Sequence, residues 1–526
     1  MNEALQKDVS QKGSGFRNFW RVTAYAAGYT LEGGVGMVLS MYYLYFLMFA
    51  MGMSPLLAGL VSGISKIWDG VIDPVIGILV DRTNTKLGKC RPWILASVIP
   101  IFVTYTMLWT NLGIQGQTAR FFYFMFAYFL FATASSIGMI PYDALLPRMI
   151  GSYGERTNYT SYRMIFSGIA TTLSIYIYEA IVPVKTTADY ALYTREFVIL
   201  GLVLGAFFAV PMLITFIGSK ERYELQAEER VTYRETLRGY IELLRSSLFR
   251  KCYTMTMLCA FIAYAIVTTL VIYVLLVYSN LKFNVPLLGG ITLTFITINL
   301  KGVFEFFFFV PNVIMMKKKS KHFPFLIDLP ILLAGLLILM FITPSTPIWI
   351  YVVGIAFIGA GTSCLGIVSN ALMPDIPEVD EMIYGKRREG VIAGMVKMGK
   401  QVMQGAAFLV FSLLMTIFGL DESNANPELA TFGTMAAVKI MLCVIPIIAI
   451  AVILLLARKY KLNEETHAKI KAHIAQKRTE GFVEVLAEDQ ALYAAFAGRP
   501  YDSLWIAGGL KPAEEIGASV QNARRE

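Results

Sequence analysis

The sequence predicts an all-α membrane protein of about twelve transmembrane helices arranged in two six-helix halves. The 526 residues are 56% hydrophobic, with mean hydropathy +0.58, and only 16% are charged, where soluble domains average about 25% charged. Apolar runs of about 20 residues recur along most of the chain, each long enough to cross about 30 Å of hydrocarbon as a helix. A polar, charged stretch after the sixth run divides the chain near its middle.

In chain order, residues 1–23 are polar, carry Lys7, Lys12, Arg17 and Arg21, and lack the apolar core of a cleavable leader, so they read as a cytoplasmic N-terminus. Spans are predicted over 24–50, 56–80, 93–113, 120–146, 162–182 and 196–218 in the N-terminal half (24–218). The middle loop is 219–251. The C-terminal half (252–458) carries spans over 253–279, 286–316, 323–343, 346–374, 390–420 and 436–458. Residues 459–526 read as a solvated cytoplasmic tail with one helix near 464–478.

Loop charge sets the orientation. Even-numbered loops hold Arg82, Lys86, Lys89 and Arg91, then Arg148 and Arg156, then Lys317, Lys318, Lys319 and Lys321, then Lys386, Arg387 and Arg388; the opposite loops hold only Arg120, Lys185, Arg195 and Lys282. The positive-inside rule then places both termini in the cytoplasm, in a cell (inner) membrane. The net charge of +9 is accounted for by these loops and forms no nucleic-acid patch. Five scattered cysteines give neither a disulfide framework nor a zinc site, and the three histidines lie in a loop and the tail.

The halves echo each other. Asp143-Ala144-Leu145-Leu146-Pro147, followed by Tyr153-Gly154-Glu155-Arg156, is matched by Asn370-Ala371-Leu372-Met373-Pro374, followed by Tyr384-Gly385-Lys386-Arg387. More weakly, Asp69-Gly70-Val71-Ile72-Asp73 aligns with Lys301-Gly302-Val303-Phe304-Glu305. Same-orientation repeats six spans apart are what a duplicated transporter leaves behind.

Charged side chains inside a span cost about 2.5–3.5 kcal/mol on insertion scales and mark candidate sites. Span 2 places Lys66, Asp69 and Asp73 at spacings of three and four, on one helix face. Two carboxylates a turn apart can ligate one Na⁺ or share a proton; the plainer alternative pairs Asp69 with Lys66 and Asp73 elsewhere. In span 8, Lys301 and Glu305 form an i,i+4 pair that either self-neutralises or lines a cavity and gates it. Glu179, Asp328 and Asp375 read as interfacial and without a role. Gly394-x-x-x-x-Gly399-Lys400 imitates a phosphate loop, but Gln401 stands where Ser or Thr is required and no strand precedes it, which argues against an ATP-driven pump.

The loop Gly77-x-x-x-Asp81-Arg82-x-x-x-x-x-Gly88-x-x-Arg91-Pro92-Trp93 resembles the signature loop of the major facilitator superfamily. Asp81, Arg82 and Arg91 can lock helix ends and release them as the halves rock. Trp68-Asp69-x-x-x-Asp73-Pro74, Met41-Tyr42-Tyr43-Leu44-Tyr45, Ile140-Pro141-Tyr142 and Leu145-x-Pro147 narrow the resemblance to the glycoside, pentoside and hexuronide cation symporters, over about Tyr25 to Lys461. The resemblance implies a major facilitator fold, Asp69 and Asp73 as cation-site carboxylates, and Arg163 as a basic residue near the sugar. For the lysine of span 11 it leaves Lys397, Lys400 and Gln401 open, with Lys400 taken as the candidate. Two positions depart from the pattern. Met139 stands where the acid before Ile-Pro is expected, with Asp143 a turn later, and Glu32 is offset by one from the acid of span 1. Both Glu32 and Asp143 can accept from vicinal hydroxyls.

The resulting expectation is a monomeric secondary transporter without catalytic residues or a cofactor. It would carry a sugar or glycoside with H⁺ or Na⁺ by alternating access, and no metal site is expected beyond a possible Na⁺ at Asp69 and Asp73. A lysolipid transporter or a proton-driven exporter on the same fold is the alternative.

Overall fold

The computed structural model describes residues 15–150, 153–182, 193–221, 233–278, 282–285, 289–418 and 432–509. Residues 1–14 with Lys7 and Lys12, the loop residue Lys185, residues 222–232 of the middle loop and 510–526 of the tail lie outside them.

The described residues are almost entirely helical. In order they are α1 (Gly15–Ala27), α2 (Thr30–Val38), α3 (Pro55–Arg82), α4 (Arg91–Leu108), α5 (Gln117–Met149), α6 (Tyr153–Ile181), α7 (Thr194–Gly218), α8 (Tyr233–Leu243) and α9 (Ser247–Tyr278). After β1 (Lys282–Val285) and β2 (Gly289–Thr292) come α10 (Leu293–Lys318), α11 (Phe323–Phe341), α12 (Ile348–Leu372), α13 (Ile376–Tyr384), α14 (Glu389–Ile417), α15 (Phe432–Lys439), α16 (Ile445–Arg458), α17 (Glu464–Glu480) and α18 (Ala487–Ala497). Among the described residues, 10 helical segments are long and apolar enough to cross a membrane. The 28-residue α3 and the run from α2 through Ala50 supply the remaining two expected spans.

Four expectations need correction. Span 1 is not one regular helix: it breaks at Gly28–Tyr29 and runs through π-helical turns at Leu39–Tyr43 and Phe46–Ala50, which widen the helix and re-aim its tyrosines. Residues 289–292, assigned to span 8, pair instead in an antiparallel hairpin, Lys282 opposite Thr292 and Val285 opposite Gly289. The pair Gly289-Gly290 disfavours a helix there. The stretch after span 10 is not all loop, since α13 continues the chain until Gly385 ends it at φ 71°.

The tail is also not merely solvated. Ile470, Ile474, Tyr493, Phe496, Leu504 and Ile506 are buried. Arg478 forms an ion pair with Glu381 at 2.5 Å, the Arg499 guanidinium lies 4.7 Å from the Tyr384 ring, and Ser246 donates to the Phe496 carbonyl at 3.2 Å. Short apolar stretches in a charged sequence hid this docking.

The chain forms two compact units: residues 1–228, 267–296 and 405–438 in the first, and 229–266, 297–404 and 439–526 in the second. In the first, α3 packs on α5, α4 on α5 and α7, and α2 on α6. Its buried aromatic core includes Tyr42 stacked on Tyr178 at 3.7 Å and Trp109 stacked on Phe197 at 6.0 Å. In the second, α11 packs intimately on α12, and α16 joins them.

Candidate functional site

Pro55 begins α3, where a missing N–H costs nothing, and the helix carries its polar residues along the face turned to α5. Lys66 Nζ lies 3.1 Å from Asp69 Oδ2 and 5.8 Å from the Tyr128 ring centroid. Ser136 donates to Asp73 Oδ1 at 2.6 Å. Trp68 Nε1 donates to Thr133 Oγ1 at 3.2 Å and stacks on Phe129 at 5.0 Å. Pro74 has no N–H to give to the carbonyl of Gly70, one turn back. The sequence-predicted pairing of Lys66 with Asp69 is therefore present, while Asp73 takes a hydroxyl from the neighbouring helix. Both acids are partly accessible, with the Asp69 side chain 15% exposed.

A second cluster joins α1, α5 and α6. Arg163 Nη2 donates to Asp143 Oδ1 at 2.7 Å, and its guanidinium carbon lies 4.2 Å from the Tyr29 ring and 5.1 Å from the Tyr142 ring. Tyr25 stacks on Tyr142 at 4.7 Å, and Tyr142 donates to the Tyr25 carbonyl at 2.9 Å. The arginine side chain is 13% exposed and the aspartate 49%, so the tyrosines enclose the cation and leave the carboxylate accessible. Glu32 is exposed in the first turn of α2, where the helix dipole favours an acid. Beside it α2 and α6 nearly touch: a Cβ on Gly33 would fall 2.3 Å from Ser167 Oγ, so only glycine fits.

At the end of α3 the exposed Asp81 meets Arg148 of α5 at 3.8 Å. Arg82 is exposed. Arg91 donates through Nη2 to the Phe216 carbonyl at 3.0 Å, and Glu221 accepts from the backbone N–H groups of Lys89, Cys90 and Arg91 at 3.0, 2.8 and 3.2 Å. Glu221 therefore caps the start of α4, satisfying donors that no helical carbonyl reaches. Burial, then the Glu221 charge, pushes the Cys90 thiol up to about 12, so it stays protonated.

In the second unit, Lys400 on α14 donates to Asn370 Oδ1 on α12 at 2.8 Å, and Lys301 pairs with Glu305 at 2.6 Å within α10. Arg388 forks onto Asp380 at 2.6 and 2.8 Å and reaches Glu242 at 2.6 Å. Asp375 is held by Lys321 at 2.5 Å. Ser136, Thr133 and the three tyrosines around Arg163 escaped sequence reasoning. Except for Tyr142, the sequence neighbour of Asp143, they sit on other elements than the charges they meet, so sequence spacing does not point to them.

With this geometry in hand, comparison with known proteins identifies the class. The pattern of the MFS/sugar transport protein family matches residues 24–464, so the chain belongs to that family. It is a multi-pass membrane protein of a transporter family, not of an enzyme family. The sodium-dependent lysophosphatidylcholine symporter 1-A of Danio rerio is 27% identical over 44% of this chain and 50% of that protein. Lactose permease of Lactobacillus helveticus is 23% identical over 81% of this chain and 66% of the permease. The matches to the first curated relatives span 30% and 50% of those proteins. A crystal structure of a bacterial homolog to the human lysosomal transporter Spinster covers 85% of this chain and 98% of its own, with TM-score 0.59 and 13% identity, a likeness of fold alone.

Proposed function

We propose that this chain is a symporter that couples a sugar or glycoside to H⁺ or Na⁺ by alternating access, as a monomer of the cell membrane with both termini cytoplasmic. Asp69 and Asp73 are the cation-site carboxylates; Arg163, Asp143, Glu32 and Lys400 are solute-site groups; Asp81, Arg82, Arg91, Lys301 and Glu305 act in gating. The observation that carries the reading is a pair of partly accessible acids one helical turn apart on α3, supported by the Lys66 ammonium and the Ser136 hydroxyl. An arriving cation competes with Lys66 for Asp69, which makes the charge of the site depend on occupancy. Coupling to the solute is then reciprocal: each ligand raises affinity for the other by the same factor.

Within the sugar class, Lys400 favours a solute with an acidic group. Among the described residues it meets a neutral amide and no carboxylate, so an acid sugar would supply the missing counter-charge. A second reading, lysolipid symport, is supported by the similarity to the lysophosphatidylcholine symporter of Danio rerio, and a phosphate would meet the same lysine.

Counterflow in proteoliposomes with labelled neutral glycoside, hexuronide and lysophosphatidylcholine separates the readings. We expect exchange of the sugars, fastest for the hexuronide. Exchange of the lysolipid alone would replace the sugar reading with the second.

A further inference from the structure

Asp328 was read from sequence as interfacial and without a role, yet its side chain is 0% exposed in the second unit. Asn312 of α10, also 0% exposed, donates through Nδ2 to Asp328 Oδ2 at 2.6 Å and to Ser363 Oγ of α12 at 3.1 Å. Two acceptors in this cluster, Asp328 Oδ1 and Asn312 Oδ1, are buried and have no hydrogen-bond partner. The surroundings admit little solvent: a Cβ on Gly361 would fall 2.4 Å from the backbone nitrogen of Leu332, so α11 and α12 meet backbone to backbone one turn from the carboxyl.

No counter-cation serves Asp328 among the described residues. Of the charged groups on the packed elements, Lys301 pairs with Glu305 on α10, Lys321 with Asp375 before α11, and Lys439 with the Ile342 carbonyl, while Lys317 and Lys318 at the end of α10 and Arg458 at the end of α16 are exposed. His322 faces Tyr460. Cys364 of α12 offers its backbone N–H and a buried thiol, and Cys443 is a buried thiol. An ionised carboxylate left in such a place carries a desolvation cost that hydrogen bonds from neutral donors, without a counter-charge, offset only in part.

We infer that Asp328 is a proton-binding site, held as the neutral acid and paired with Asn312. One proton on Oδ1 gives the two orphaned acceptors a shared hydrogen bond, Asp328 Oδ1–H to Asn312 Oδ1. This closes a two-bond acid–amide pair with the 2.6 Å bond already present. The site is separate from the α3 acids and holds whether or not the cation-coupled reading is right.

The test needs no transported solute. Infrared spectra of the purified protein in nanodiscs at neutral pH should contain a protonated-carboxyl carbonyl band that shifts in D₂O. Asp328→Asn should remove an intensity equal to one carboxyl, whereas Asp69→Asn should leave that component in place. Asn312→Leu should move the band toward the position of a free carboxyl. Asp328→Asn replaces an acid–amide pair by an isosteric amide–amide pair, so its Tm should stay near wild type, while Asp328→Ala should fall by several degrees. Absence of the band, its persistence in Asp328→Asn, or an Asp328→Asn protein that fails to fold would each overturn the inference.

Discussion

The last turn of the fourth span and the first turns of the fifth bring Asp143 and Arg163 to 2.7 Å. The corresponding turns of the second half bring Asn370 and Lys400 to 2.8 Å. Both acceptors open similar stretches, Asp143-Ala144-Leu145-Leu146-Pro147 and Asn370-Ala371-Leu372-Met373-Pro374. The chemistry differs: the first half neutralises its cation with a carboxylate and three tyrosines, and the second gives its ammonium a neutral amide. The two contacts pair a donor with an acceptor but differ in charge: a closed ion pair in the first half, an ammonium on a neutral amide in the second.

That contrast can be broken from either side. The largest effect is expected from Asn370→Asp, which would give Lys400 the carboxylate its counterpart already has. A charge-assisted bond of roughly 1.5–3 kcal/mol would then compete with an acidic solute, lowering hexuronide uptake about 10- to 100-fold and sparing a neutral glycoside. Uptake of both solutes reduced equally would mean that Lys400 does not meet the anion. The reciprocal change, Asp143→Asn, is milder, because Arg163 keeps the faces of Tyr29 and Tyr142 and the carboxylate is half exposed. We expect a loss of about 1 kcal/mol in solute affinity, read from the half-saturating concentration. Smallest is Asp81→Asn: Asp81 is 75% exposed and 3.8 Å from Arg148, and such pairs contribute about 0–1 kcal/mol. Thermal stability should change little, and less still at high salt.

The same contrast shows what the sequence makes legible. Twelve spans, the acids of span 2 and the echo between the halves follow from composition, periodicity and spacing, because a bilayer punishes every unpaired polar group and so writes its constraints locally. Partners within one helix, Lys66 with Asp69 and Lys301 with Glu305, were legible; partners on neighbouring helices were not. Ser136 and Thr133 are ordinary residues in an apolar run, and only packing brings them against α3. Asp328 looked interfacial from its place near the start of span 9, yet Asn312 of α10, itself bonded to Ser363 of α12, covers it. The docked tail was missed for the same reason, since Trp505 packs against Gly385, 120 residues earlier.

The account depends most on the α3 acids meeting a cation. Purified protein in proteoliposomes, given an imposed Na⁺ or H⁺ gradient, should accumulate labelled sugar above its external concentration. Asp69→Asn and Asp73→Asn should each abolish that accumulation while the protein still inserts at the normal level. Gradient-driven accumulation at the wild-type level in both variants would contradict the assignment of these carboxylates.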